Sequence, residues 1–236
     1  MKIKAILFDL DGTLLPLDQD VFIKTYFKGL IGALLPLGIE PDTLMKTVWN
    51  GTYAMIRNDG SNPNENAFFD YFASVCPDVD MDKFRALAEN YYTTDYKKLI
   101  SITRPTALAK EAVTLASQSG RRVVLATNPL FPEIAQNARI GFAGLEPENF
   151  EFVTTYESDS YAKPNPKYFL SICERLGVKP EECLMIGNDE TEDMHAASSV
   201  GMSCYLIDDC AIRSKEHSWA GEHGTFDEML EMLKSI

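Results

Sequence analysis

The chain has 236 residues, of which 35 are Asp or Glu and 22 are Lys or Arg, for a formal charge of -13. That surplus of negative charge excludes a nucleic-acid backbone or an anionic membrane as the main partner. It leaves room for a small anionic substrate, which needs only a few local positive groups or a bound cation.

A hydrophobic fraction of 45% beside 24% charged residues describes an ordinary globular chain, long enough to bury a core without disulfide or metal staples. The five cysteines (Cys76, Cys173, Cys183, Cys204, Cys210) are scattered and form no CxxC pair, which predicts reduced thiols in a cytoplasmic protein. Near the start, the apolar run AILF stops at Asp9, too short for a secretory h-region or a membrane span.

In chain order, the first predicted strand is residues 3–10 (IKAILFDL). From 17 to 102 the sequence turns aromatic and rich in helix formers, with turn signals at PLGIEP, NDGSNPNE and CPDVD; this predicts four or five helices and no strand. Strands then return at 122–127 (RVVLAT), 150–155 (FEFVTT), 183–187 (CLMIG) and 203–208 (SCYLID). Helical periodicity covers 107–119, 132–139, 166–176 and 192–200, and a last helix spans 227–234. Nearly continuous apolar strands alternating with helices predict an α/β fold with a parallel sheet covered on both faces. The all-helical block after the first strand reads as an inserted cap domain.

In such sheets ligands bind at the carboxyl ends of the strands, so the residues there are the ones to compare. The first strand ends in FDLDGT, the second in ATNP; YAKPNP follows the third, and the fourth ends in GNDETED. Asp9 and Asp11, two apart on extended chain, face the same way, an arrangement that is costly unless a cation or proton is shared. Gly12 permits a tight turn, with Thr13 beside it. The pair suits an Asp nucleophile next to an Asp that gives and takes a proton.

Thr127 and Asn128 offer a hydroxyl, an amide and turn backbone groups to phosphoryl oxygens, and Lys163 offers an ammonium that balances nearby carboxylates. Asp189 is placed to ligate a hard cation and Asp193 to anchor Lys163 or a metal-bound water; all-oxygen ligands favour Mg2+. Glu190 and Glu192 are expected to face solvent, and His195 to sit on a core helix. Trp49, Tyr53 and Arg57 share helical spacing; the aromatic stripe reads as cap core, and Arg57 as an anion clamp or ion-pair partner.

The set FDLDGT, ATN, KP and GNDxxxD, in this order over the whole chain, resembles the haloacid dehalogenase-like (HAD) hydrolase superfamily. The resemblance implies a Rossmann-like core at 1–15 and 103–236 with a helical C1-type cap at 16–102. It further implies Mg2+-dependent phosphoryl transfer from a small-molecule phosphate ester. By position, Asp9 resembles the nucleophile that forms an aspartyl-phosphate, and Asp11 the acid/base whose backbone carbonyl also faces the metal. Thr127 resembles the phosphate-binding hydroxyl and Lys163 the charge-balancing lysine. An acid/base at Asp11 serves an oxygen leaving group, so phosphate-ester chemistry leads over dehalogenation.

The fourth motif departs from a frequent family form, GDxxxxD, because Asn188 follows Gly187 and Asp189 comes one place later. Either Asp189 or Asn188 is therefore the metal ligand. A phosphatase is expected; a sugar-phosphate mutase would use the same core residues, and a phosphate-ligand binding protein with a disabled site is the third reading. A monomer and a homodimer are both compatible with the sequence.

Overall fold

The computed structural model describes residues 2–236. Strands β1 (Ala5–Phe8), β2 (Arg122–Leu125), β3 (Cys183–Gly187), β4 (Ser203–Ile207) and β5 (Glu222–Gly224) form one parallel sheet in the order β2-β1-β3-β4-β5. Its first four strands are almost wholly buried, as their unbroken apolar sequences require of a sheet covered on both faces. Alternate side chains go to opposite sides. Ile6 and Phe8 join one apolar cluster, while Ala5 and Leu7 join another with Tyr168, Phe169 and Ile172. This is the Rossmann-like α/β arrangement.

One strand expectation is corrected, and one strand was not foreseen. Residues 150–155 run parallel beside β2 and make three backbone hydrogen bonds to it (Glu151 N to Val123 O at 2.7 Å, Leu125 N to Phe152 O at 3.2 Å, Thr154 N to Leu125 O at 3.1 Å), but these close a single bridge, Val153 to Leu125, rather than a strand ladder. Conversely, the edge strand β5 reads Glu-His-Gly with two exposed residues, and carries no apolar signal. The predicted helix at 192–200 is instead a π-helical turn, Glu190–His195, followed by the four-residue helix α8, Ala196–Ser199. His195 is only half-buried, its Nε2 2.8 Å from His217 O.

Between β1 and β2 lie α1 (Gln19–Leu34), α2 (Pro41–Ile56), α3 (Asn64–Val75) and α4 (Met81–Thr93), with 3-10 turns at Leu35–Leu37 and Asp95–Ile102. Local chemistry sets their starts. Asp18 caps α1 through Val21 N at 3.0 Å, and Asp80 caps α4 through Asp82 N and Lys83 N at 3.0 Å. The chain leaves the sheet and returns to it side by side, Leu17 bridging Thr103 and Arg104 N donating to Pro16 O at 2.8 Å. No single helix among the described residues is long and apolar enough to cross a membrane.

The remaining helices flank the sheet: α5 (Leu108–Gln118), α6 (Glu133–Phe142), α7 (Pro166–Leu176) and the C-terminal α9 (Phe226–Ser235). One apolar cluster runs without interruption from Phe226 on α9 through Ile6 and Phe8 into Phe22, Phe72 and Tyr96 of the helical block. Truncating Phe72, which is 0% exposed, to alanine is expected to cost about 3–5 kcal/mol. Because the cluster is shared, the urea midpoints of helical content and of aromatic packing should fall together. Two separated transitions in Phe72→Ala would contradict a continuous core.

Candidate active site

Parallel register places the ends of β1, β2 and β3 next to one another. Phe8 pairs with Leu125 and with Ile186, Asp9 N donates to Ile186 O at 2.9 Å, and Ala126 N donates to Phe8 O at 2.7 Å. The residues that follow, Asp9, Thr127–Asn128 and Asn188–Asp189, therefore open onto one space. That space is a cavity of about 320 Å³ between the strand tips and helices α1 and α2.

Lys163 is the organising charge. Its side chain is 1% exposed, and its Nζ donates to Asp9 Oδ1 at 2.8 Å and to Asp193 Oδ1 at 2.6 Å. Burial alone would lower the Lys163 pKa, but the charges of Asp193 and Asp9 override it and hold the ammonium well above the usual lysine range. The second oxygen of Asp193 accepts from the backbone N–H of Asn188 at 3.1 Å and of Asp189 at 3.0 Å. Gly187 lies so close to this carboxylate that a Cβ there would overlap it.

Asp11 has a different environment. Its Oδ2 pairs with the guanidinium of Arg139, and its Oδ1 is buried without a partner. Burial pushes the Asp11 carboxyl up to about 6 against the pull of Arg139, with Asp9 adding to the rise. Arg139 is itself 1% exposed; it also donates to Gln136 Oε1 and lies 4.1 Å from the centre of the Phe131 ring.

At the third tip, the Asn188 side chain is committed at both ends. Its Oδ1 lies 3.2 Å from the Thr13 hydroxyl, and its Nδ2 donates to Cys210 O at 2.8 Å. The same Thr13 hydroxyl, with one proton to give, also lies 3.3 Å from Asp9 Oδ2. Gly12, at φ +87, lets the chain turn where a Cβ would strike the Asn188 amide. Asp189 Oδ1 accepts from Thr191 N at 2.7 Å and Glu192 N at 2.8 Å, capping the π-helical turn.

Thr127 is buried and lines the cavity. Asn128 lines it too, but its amide is a brace: Oδ1 accepts from Lys163 N at 3.2 Å and Nδ2 donates to Glu192 Oε2 at 2.9 Å.

Neither Glu190 nor Glu192 faces solvent as expected. Glu190 is buried, accepting from Arg213 at 3.0 Å and Ser214 N at 2.7 Å, which ties the turn to the segment after β4. Glu192 lines the cavity, and burial together with the Asp189 charge pushes its carboxyl up to about 8. The π-helical winding turns both side chains inward. Arg57 is exposed and lies outside this cavity, on a neighbouring depression with Asn50 and Tyr71. Trp49 and Tyr53 are not cap core; each is 42% exposed and lines the cavity.

Five carboxylates line the cavity (Asp9, Asp11, Asp189, Glu192, Asp193), and among the described residues Arg139 is the one cation lining it. Such a hard, oxygen-rich and negatively charged wall suits a divalent cation of the Mg2+ type. Among the described residues no three His, Cys, Asp or Glu side chains form a closed cage.

This site sits in a recognisable lineage. The chain belongs to the haloacid dehalogenase-like hydrolases, whose family model matches residues 3–201. Among curated relatives, a glyceraldehyde 3-phosphate phosphatase of Methanopyrus kandleri is 26% identical over 200 residues, covering 85% of this chain and 82% of that protein. A phosphoglycolate phosphatase of Nitrosospira multiformis is 26% identical over 210 residues, covering 88% and 84%. Among solved structures, a HAD phosphatase from Thermococcus onnurineus superposes with a TM-score of 0.60 at 24% identity, covering 98% of each chain. The protein is thus a hydrolase.

Removing the central cation should leave Asp9 and Asp193 buried and uncompensated. Lys163→Met is expected to cost about 3–5 kcal/mol in urea denaturation. A loss below about 1 kcal/mol would mean that the ammonium does not hold the tips together.

Proposed function

We propose that the protein is a Mg2+-dependent phosphatase that hydrolyses a small phosphomonoester through an aspartyl-phosphate on Asp9. The observation that carries this reading is the unequal pairing of two adjacent carboxylates: Asp9 on the Lys163 ammonium, Asp11 on the Arg139 guanidinium. The phosphatase names of the relatives support it. The helical block at 16–102 is the cap over the core at 1–15 and 103–236, and substrate selection belongs to it.

In the first step a carboxylate oxygen of Asp9 attacks phosphorus in line with the ester oxygen. The phosphorus–ester bond breaks, and its electron pair leaves on the alcohol oxygen. Asp11 gives that oxygen its proton from the otherwise unpartnered Oδ1, while Arg139 keeps Oδ2 turned away. In the second step Asp11 takes a proton from water, which attacks phosphorus; the bond to Asp9 breaks and phosphate departs. Lys163 keeps Asp9 oriented through the contact of its Nζ with Oδ1. Thr127 and the turn around Asn128 receive the phosphoryl oxygens.

Mg2+, when bound, supplies positive charge for the transferring phosphoryl group. Asp9, Asp189 and the Asp11 carbonyl are its proposed protein ligands. Asp189 is favoured over Asn188 because a carboxylate attracts the cation where the neutral Asn188 amide does not; its Oδ1 caps the turn through Thr191 N and Glu192 N, and its Oδ2 accepts no hydrogen bond among the described residues.

With Mg2+ present, phosphate release from a panel of phosphomonoesters should fall at least 1000-fold in Asp9→Asn, in the range lost when a nucleophile is removed from its catalytic unit. An active Asp9→Asn would rule out the assigned nucleophile. Chelation should abolish turnover of the wild type, and restoring Mg2+ should recover it. Asp189→Ala should raise the Mg2+ concentration needed for half-maximal rate more than Asn188→Ala; the opposite ranking would overturn the choice of ligand.

A further inference from the structure

The roof of the cavity is unusual for its position. Helix α2 buries Leu44, Val48 and Met55 in the apolar cluster, as an amphipathic helix should, yet its other face also carries large rings. Trp49 and Tyr53 point from that face into the cavity with their centroids 5.7 Å apart, and Phe27 of α1 extends the row 5.0 Å from Trp49. Leaving such rings on solvent in a packed domain marks a binding surface.

The polar inventory narrows what they bind. Arg139 is committed to Asp11 and Gln136, so among the described residues no free cation on the cavity wall is left for a carboxylate on the leaving group. Gln19, at the start of α1, lines the cavity with a buried Oε1 that has no donor among the described residues. It is an acceptor waiting for an O–H or N–H.

We infer that the leaving group is an uncharged, ring-bearing alcohol with a hydrogen-bond donor, packed against the Trp49 and Tyr53 rings, which stand at 75° to each other so that one meets it face-on and the other edge-on, rather than a short carboxylate or aldehyde. The inference rests on the phosphatase reading above and adds the class of substrate. Dispersion and quadrupole contacts to the ring row hold the planar group, and Gln19 orients its edge. The floor chemistry at Asp9 and Asp11 is unchanged.

The test compares benzyl phosphate and a nucleoside 5′-monophosphate with glycerol 3-phosphate and 2-phosphoglycolate, all esters of unactivated alcohols, with Mg2+ present. The ring esters should exceed glycerol 3-phosphate at least tenfold in kcat/KM, and 2-phosphoglycolate should be the poorest. Trp49→Ala and Tyr53→Ala should each lower the ratio of ring ester to glycerol ester about tenfold, the scale of one lost stacking contact. Trp49→Phe should keep most of that ratio. Ring esters turned over no faster than glycerol 3-phosphate, or alanine variants that slow all esters alike, would overturn the inference and leave the phosphatase reading standing. If no ester is hydrolysed, calorimetric binding to the Asp9→Asn protein decides: selective binding of the ring esters upholds ring recognition while hydrolysis falls, and equal binding ends both.

Discussion

Everything at the strand tips depends on one ammonium group buried between two carboxylates. A lysine taken out of water is tolerated only where opposite charge replaces its hydration, and Asp9 and Asp193 do this at 2.8 Å and 2.6 Å. Asp193 has a second duty, since its other oxygen gathers the backbone N–H groups of Asn188 and Asp189. The ends of β1 and β3 and the loop carrying Lys163 are thus tied through a few atoms. The constraint that closes the fold here also presents Asp9 to the cavity, so architecture and chemistry cannot be varied separately.

Much of this was legible in the sequence because it follows from two simple regularities. Unbroken apolar runs mark buried parallel strands, and four of the five strands were visible that way; β5 was not, because an edge pairing of Glu-His-Gly leaves no hydrophobic trace. The rule that ligands gather at carboxyl ends then brought Asp9, Thr127, Lys163 and Asp189 into one comparison. Periodicity failed where winding departed from 3.6 residues per turn: the π-helical turn sends Glu190 and Glu192 inward, opposite to an ordinary helix. Arg139 was invisible for another reason. A basic residue in the last turn of a helix is ordinarily a solvated partner of the dipole, and only tertiary packing against Phe131 and Asp11 gives it a different role.

The cavity divides its labour by depth. Its floor is charged and braced, with Asn128 linking the Lys163 loop to Glu192 and Thr13 lying between Asp9 and Asn188. The roof is aromatic and comes from the helical block, whose own core packs through Phe68, Phe72 and Phe84. On the proposed function, the reacting bond and the group that leaves would therefore meet different parts of the chain. On that reading, variation in α1 and α2 would change what is accepted without disturbing what is done to it.

The close approach of Gly12 to Asn188 has a steric consequence. The turn after β1 is sized to the amide at the end of β3, and that amide reaches on to Cys210 beyond β4. These positions are sterically linked: a side chain at Gly12 would displace the Asn188 amide and, with it, the hydrogen bond to Cys210. Asn188, which looked like a departure from the family motif, acts in this chain as the spacer that sets the distance between two tips.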